Sequence, residues 1–159
     1  DENGEEYDDN GERAIFFARG VLETVKKLRW SPDVIHCQGW MGYIVPLFIK
    51  AAYNSEPAFA DTKVVTSVFA DGLKKNIGDN FKNCLEFKDV TVDSLSAYKD
   101  DFDFMELGKL AIDNSDAVVE AEEGANPELI AYAKSKGIPV LAYPGEDYTV
   151  AYKKFYEEL

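Results

Sequence analysis

A short polar turn follows a predicted buried strand near the middle of the chain's first half, and the chain's one histidine lies there. The strand covers residues 33–37, and His36, Gln38 and Trp40 lie at its end or just beyond it. In open parallel sheets, ligands bind beyond the carboxyl ends of the strands. An imidazole and an amide can hydrogen-bond a polar ligand, and an indole offers a stacking surface. The turn therefore predicts a site for a polar ligand that also stacks.

Two of these residues also have ordinary structural explanations. A histidine at the end of a strand is commonly held by hydrogen bonds within the fold. A tryptophan at a strand-to-helix turn is commonly part of the core. His36 is the one catalytic candidate, and the residues alone do not decide between the ligand and the structural interpretation.

Composition limits the possible functions. The chain has 159 residues, 46% of them hydrophobic, and a net charge of −13, which predicts one globular domain. No basic stripe offsets this charge, so we expect no nucleic-acid partner. No apolar run approaches the roughly 18 residues of a membrane helix, so we expect no membrane partner. Two cysteines without clustered metal ligands favour free thiols in a cytoplasmic protein.

The hydrophobic periodicity predicts alternating helices and strands after an acidic loop or disordered end at residues 1–9. A calcium loop there is disfavoured, because the acidic side chains are poorly spaced for one. We expect one Rossmann-like α/β domain over residues 10–159, with a parallel sheet and helices on both faces. The expected strands are 33–37, 63–69, 117–121 and 138–142. The expected helices are 10–28, 41–53 (kinked at Pro46), 80–85, 104–112, 127–136 and 148–157.

Residues 33–40 resemble the Asp-Val-(Val/Ile)-His-x-His-Asp-Trp segment of bacterial glycogen synthases and plant starch synthases. The positions that match are Asp33, Val34, Ile35, His36 and Trp40. Gln38 stands where the family has a second histidine, and Gly39 stands where it has an aspartate. The resemblance implies one half of a GT-B-type glycosyltransferase, whose intact enzyme transfers glucosyl units from a nucleotide-glucose to an α-1,4-glucan.

Weaker similarities lie on either side of this segment. Asp9, Asn10 and Arg13 fit the Asp-Asn-x-x-Arg-Phe segment that opens the equivalent family helix. The family's Thr-Ile-His-Asn strand end aligns with residues 67–70, where Phe69 and Ala70 replace a histidine and an asparagine. A looser similarity covers residues 104–121.

The resemblance implies an α-1,4-glucan or maltooligosaccharide as the partner. The implied substrate-binding residues are His36, Gln38, Gly39, Trp40, Phe69 and Arg13. Neither a cofactor nor a metal site is predicted. The chain has no Gly-x-Gly-x-x-Gly and no Gly-x-x-x-x-Gly-Lys-(Ser/Thr) segment, and it lacks the family's Lys-x-Gly-Gly-Leu loop, so we expect it to be inactive alone.

Two other interpretations remain open from the sequence. The replacements at residues 38, 39, 69 and 70 suit a catalytically dead glucan-binding or regulatory module. An unrelated flavodoxin-like or receiver domain is disfavoured, because no acidic pair and phosphoacceptor aspartate follow the predicted strands. If a strand upstream of residue 33 is missing from the sheet, its exposed edge predicts self-association.

Overall fold

A computed structural model describes residues 2–78 and 80–159 and shows a four-stranded parallel sheet. The strands are β1 (Val34–Cys37), β2 (Lys63–Val68), β3 (Ala117–Glu120) and β4 (Val140–Leu141). They lie in the order β1-β2-β3-β4, with His36 opposite Val65 and Thr66 opposite Val118. Their runs of valine suit strands buried on both faces. The predicted α/β class with a parallel sheet is confirmed.

In the part of the chain that the structure describes, six α-helical elements connect or cover the strands. They are α1 (Asn10–Lys27), α2 (Val45–Leu47), α3 (Phe81–Cys84), α4 (Phe104–Asp113), α5 (Pro127–Ser135) and α6 (Tyr148–Glu157). The side chain of Asn126 accepts hydrogen bonds from the N–H groups of Glu128 and Leu129 at the start of α5. This cap and a proline at the first helical position explain why the sequence identified that helix start.

The two faces of the sheet are covered unequally. Helices α1, α2, α4 and α5 pack on one face with the larger core, which includes Val64, Val68 and Val118. Helix α6 covers the other face. Val65, Ala117 and Val119 are fully buried there, and aromatic side chains of α6 pack against this cluster. Because side chains alternate along a strand, His36 faces α6 while Cys37 faces the larger core.

The prediction of one kinked helix over residues 41–53 was wrong. Trp40–Gly42 forms a separate 3₁₀ turn, and α2 begins only at Val45. Pro46 therefore lies in the first turn of α2, where its missing N–H costs no helical hydrogen bond. The helix then widens into a π-helix at Phe48–Ala52, and the N–H of Tyr53 donates to the carbonyl of Phe48 over 2.9 Å.

The amino-terminal acidic stretch contacts the rest of the chain through Glu6. Its carboxylate accepts hydrogen bonds from the N–H groups of Lys74 and Lys75, at 2.8 and 2.9 Å. Desolvation raises the pKa of Glu6, but these two amides outweigh it and lower the pKa overall. Asp1 lies outside the described residues, and the domain boundary at residue 10 stays a prediction. Within the described ranges, no helix is both long and apolar enough to cross a membrane.

Candidate functional site at the carboxyl edge of the sheet

The turn after β1 faces solvent. Gly39 has φ 73° and ψ 157°, and a Cβ atom built there would have no heavy atom within 4 Å beyond its own residue and its two chain neighbours. The N–H of Gly42 donates to the Gly39 carbonyl over 2.9 Å, which closes the turn. Gln38 is exposed, and Trp40 is partly buried against the larger core. One part of the indole therefore packs on the core, and the rest borders the open turn.

Tyr43 holds this turn against the end of the neighbouring strand. Its hydroxyl donates to the carbonyl of Ser67 over 2.7 Å, and its ring stacks on Phe104 with centroids 6.0 Å apart. Burial raises the pKa of Tyr43, so the hydroxyl stays protonated and able to donate. The sequence did not identify Tyr43 as part of the site, because a tyrosine among apolar helix residues looks like ordinary core.

The turn after β2 is held by backbone and carboxylate contacts. The N–H of Asn126 donates to the carbonyl of Phe69 over 3.0 Å, and the N–H of Ala70 donates to Oε1 of Glu122 over 2.6 Å. Phe69 is half-buried and Ala70 is exposed. Glu122 thus takes a positioning role that no spacing in the sequence indicated, because its partner lies 52 residues away.

His36 lies one residue before the end of β1 and points away from the larger core, beneath α6. Its Nδ1 is 2.5 Å from the hydroxyl of Tyr156, and its Nε2 is 2.7 Å from Oγ of Ser67. Desolvation lowers the pKa of His36 to about 4, so the ring is neutral at pH 7. Both ring nitrogens are therefore occupied within the fold, as the structural interpretation of this residue requires.

Arg13 lies in the first turns of α1, and that helix contacts the Trp40–Gly42 turn. Its Nε is 2.7 Å from Oδ1 of Asp9, and its guanidinium stacks over the ring of Tyr7 at 4.2 Å. The Asp9 carboxylate raises the pKa of the Arg13 guanidinium. The charge is thus paired locally, and a ligand would have to compete with Asp9 for it.

The edge brings together Gln38, Gly39, Trp40 and Phe69, the residues that follow β1 and β2. The neighbouring carboxylates are already engaged: Glu122 accepts from Ala70, and Glu120 accepts from the N–H of Tyr143 over 3.3 Å. An amide, part of an indole and exposed peptide groups suit the binding of a hydroxyl-rich ligand. With His36 neutral and enclosed, these groups provide contacts for binding and no evident proton-transfer pair.

Residues 1–138 match the family described as "Starch synthase catalytic domain". The chain belongs to this family. The match covers β1, β2, β3 and the helices through the end of α5, and it includes both turns of the edge. The glycosyltransferase resemblance of the segment at residues 33–40 is therefore confirmed for most of the chain, and the receiver-domain alternative is excluded.

Individual relatives agree with this assignment. A glycogen synthase from Chlorobium limicola is 46% identical over 66 residues, which are 42% of this chain and 14% of that protein. A glycogen synthase from Clostridium perfringens is 45% identical over 60 residues, 38% of this chain and 12% of that protein. This glycogen or starch synthase-like domain thus matches only about an eighth of the length of these relatives.

A solved structure shares the fold. It is the catalytic domain of starch synthase IV from Arabidopsis thaliana, bound to ADP and acarbose. The likeness has a TM-score of 0.62 at 16% identity and covers 87% of this chain and 30% of that one. The synthase-like domain described here therefore has the sheet architecture of part of a starch synthase catalytic domain.

Proposed function

We propose that this chain forms the acceptor side of a glycogen or starch synthase. In the intact enzyme, glucosyl units pass from a nucleotide-glucose to an α-1,4-glucan. The family match over residues 1–138 is the observation that carries this proposal. Gln38, Gly39, Trp40 and Phe69 at the carboxyl edge of the sheet are the proposed glucan contacts, and Arg13 joins them from α1.

The proposed ligand is an α-1,4-glucan or a maltooligosaccharide. The starch synthase IV structure contains ADP and acarbose, and its fold extends over most of this chain. A sugar has hydroxyls for the Gln38 amide and an apolar ring face for the Trp40 indole. His36 lies beneath this surface. We propose that it positions the end of β1, and that it contacts glucan only if α6 moves away from the sheet.

We propose that the 159-residue chain does not catalyse the transfer alone. Leaving diphosphate needs cations or helix termini to stabilise its charge. The edge of this sheet offers carboxylates and neutral groups, and the sequence contains neither a Gly-x-Gly-x-x-Gly nor a Gly-x-x-x-x-Gly-Lys-(Ser/Thr) phosphate loop. The missing functions are expected in the parts of the relatives that this chain does not match.

Calorimetric titration with a maltooligosaccharide of about seven glucose units tests glucan binding. The comparison is between the unchanged chain, Trp40→Ala, Gln38→Ala and Trp30→Ala. Trp30 is the other tryptophan and lies away from the edge, exposed near the end of α1. We expect saturable binding that weakens by about tenfold in Trp40→Ala and less in Gln38→Ala, because stacking contributes more than one exposed hydrogen bond.

Two controls decide whether a loss of glucan binding in a variant reflects a lost contact at this edge. Circular dichroism must show that Trp40→Ala is folded, since part of the indole packs on the core. Equal weakening in Trp30→Ala, or no heat from the unchanged chain at millimolar sugar, would count against a glucan site at this edge.

Two further properties belong to this proposal. We propose a cytoplasmic location, which the free thiols of Cys37 and Cys84 support. We also propose that the chain alone forms homo-oligomers through the free edge of β1, because an uncovered strand edge pairs readily with another. Sedimentation of a clean monomer at high concentration would overturn the second of these.

A further inference from the structure

A polar groove lies beside the chain segment that leaves the turn after β2. We call it the loop groove. It has a volume of about 370 Å³ and is lined by residues 73–76 and by residues 101 and 103–105. The first of these segments follows the turn at residues 69–70, and the second leads into α4. Small-molecule sites occupy about 300–1,000 Å³, so the loop groove can hold part of a sugar chain.

Two packed aromatic rings connect the loop groove to the turn after β1. Phe104 lines the groove and covers Gly72, where an added Cβ would lie 2.3 Å from Cε2 of Phe104. The same ring stacks on Tyr43 with centroids 6.0 Å apart. Tyr43 directly follows the turn at Trp40–Gly42. The loop groove is therefore a neighbour of the proposed glucan contacts, both along the chain after β2 and through the packing of these rings.

Hydrogen bonds within the fold hold the walls of the loop groove in place. The two carboxylate oxygens of Glu6 each accept from one backbone N–H, that of Lys74 at 2.8 Å and that of Lys75 at 2.9 Å. The side chain of Asn76 donates to Oδ1 of Asp101 over 2.9 Å, which joins the two lining segments. A site whose walls are ordered in advance loses less conformational entropy when its ligand binds.

The charges around the loop groove indicate the class of its ligand. Lys74 and Lys75 are exposed on one lining segment, and the carboxylates of Asp101 and Asp103 lie on the other. The carboxylates disfavour an anion and the lysines disfavour a cation. A neutral polyhydroxyl ligand suits both, because ammonium groups donate to hydroxyl oxygens and carboxylates accept from hydroxyl hydrogens. The half-buried Met105 adds an apolar contact for the face of a sugar ring.

We propose that the loop groove is a further glucan subsite, which takes glucose units of a chain whose other units lie at the turn that carries Trp40. The inference rests on the proposed function, because it extends the glucan site at the carboxyl edge. Glu6 is a positioning residue of this subsite: it holds the backbone of Lys74 and Lys75 and does not touch the sugar. A nucleotide is a poorer occupant, since its phosphates would meet the carboxylates of Asp101 and Asp103.

Calorimetric titration with two sugars tests the subsite, namely maltotriose and maltoheptaose. The shorter sugar occupies the turn that carries Trp40, and the longer one also reaches the loop groove. In the double variant Lys74→Met/Lys75→Met, maltoheptaose should bind about tenfold more weakly, because two hydrogen bonds from charged donors are lost, while maltotriose should be unaffected. The control Lys27→Met/Lys153→Met removes two exposed charges elsewhere and should leave both affinities unchanged.

Glu6→Gln tests how the groove is held. A glutamine side chain has one acceptor oxygen, so its NH₂ group would face one of the two N–H groups that Glu6 now accepts. The amides of Lys74 and Lys75 should exchange with solvent faster, and maltoheptaose but not maltotriose should bind more weakly. Glu5→Gln is the matched control: its carboxylate lies 3.6 Å from Nζ of Lys75, in an exposed pair, and its replacement should change neither affinity.

The two sugars separate this inference from the proposal on which it rests. Equal affinities for maltotriose and maltoheptaose, or a double lysine variant that binds maltoheptaose as the unchanged chain does, would overturn the loop-groove subsite and leave the glucan site at the edge. The subsite is also overturned if the double lysine variant loses both sugars equally. Failure of the unchanged chain to bind either sugar would overturn both. If Glu6→Gln does not fold, the exposed lysines decide the matter.

Discussion

The hydroxyl of Tyr156 lies 2.5 Å from Nδ1 of His36, so the last helix is hydrogen-bonded to the first strand across 120 residues of sequence. Ser67 of β2 occupies the other ring nitrogen at 2.7 Å. Three elements thus meet at one neutral imidazole. The histidine of the family segment contributes here to holding α6 on the sheet, directly beneath the turn that carries the proposed glucan contacts.

Removing the Tyr156 hydroxyl should destabilise the fold. In Tyr156→Phe, Nδ1 of a half-buried histidine loses its partner, and an unpaired polar group of this kind costs about 1–2 kcal/mol. Urea unfolding measures the change. Tyr148→Phe is the matched control: Tyr148 lies on the same helix, is exposed, and should change stability by less than about 0.5 kcal/mol. Equal effects would show that the His36 contact adds nothing.

The His36 ring should make stability depend on pH between about 4 and 6.5. Desolvation lowers the pKa of His36 to about 4 in the folded chain, from 6.5 in the unfolded chain. The unfolded state then binds more protons in this interval, so the stabilisation is complete above pH 6.5 and is lost as the pH falls towards 4. The shift sets an upper limit of about 3 kcal/mol, which solvent contact reduces to about 1–2 kcal/mol.

Comparison with His36→Gln isolates this effect from the many carboxylates. The free energy of unfolding is measured at pH 4.5 and pH 7 for both proteins. Because the carboxylates contribute equally to both, the unchanged chain should lose about 1–2 kcal/mol more than His36→Gln on acidification. Parallel curves for the two proteins would show that His36 does not titrate differently on folding.

The sequence predicted a strand at residues 33–37, which the structure shows at Val34–Cys37, but it could not choose the role of His36. The strand is visible because β-branched residues follow a proline. The partners of the histidine, Ser67 and Tyr156, are 31 and 120 residues away, and no local pattern records them. The parallel register could have suggested Ser67, since β1 pairs with β2 and alternate residues share a face.

Glu122 should stabilise the turn that follows β2. Its Oε1 accepts from the N–H of Ala70 over 2.6 Å, a hydrogen bond to a charged acceptor. Glu122→Ala should cost about 1 kcal/mol in urea unfolding and loosen the Phe69 region. Glu123→Ala removes an exposed neighbour of the same charge and should be nearly neutral. A loss of equal size in Glu123→Ala would point to overall charge as the cause.

Two glycines of α1 should respond oppositely to alanine. A Cβ at Gly11 would lie 2.6 Å from the carbonyl oxygen of Ile77 and 2.8 Å from Cβ of Phe81. Gly11→Ala should therefore destabilise the fold by about 1–3 kcal/mol. Gly20, in the same helix, has no contact within 4 Å of that position beyond its chain neighbours and the helix's own backbone, so Gly20→Ala should stabilise the fold by about 0.5–1 kcal/mol. Thermal unfolding distinguishes the two, and a stabilised Gly11→Ala would contradict the close approach.

Pro46 shows why the interior of the apolar segment at residues 41–53 was predicted less well than its boundaries. An apolar run indicates burial, but the same run fits either one continuous helix or the observed succession of a 3₁₀ turn, a turn of α-helix and a π-helix. The break is decided by tertiary contacts such as the Tyr43 hydroxyl on the Ser67 carbonyl. Helix α5, by contrast, was predicted closely because Asn126 and Pro127, which fix its start, are adjacent to the helix in the sequence.

Gly39 should resist replacement by the aspartate that the family has at this position. Its φ of 73° with ψ of 157° lies in a region open essentially only to glycine. Gly39→Asp and Gly39→Ala should each cost about 1–3 kcal/mol, because both bring a Cβ into the same strained backbone. The space around the residue is empty, so a steric clash is not the cause. If Gly39→Asp alone were tolerated and strengthened glucan binding, the turn would be adaptable. The departure from the family segment at this residue would then tune the affinity for glucan and would reflect no constraint of the backbone. Calorimetry and urea unfolding on the same two variants separate these outcomes.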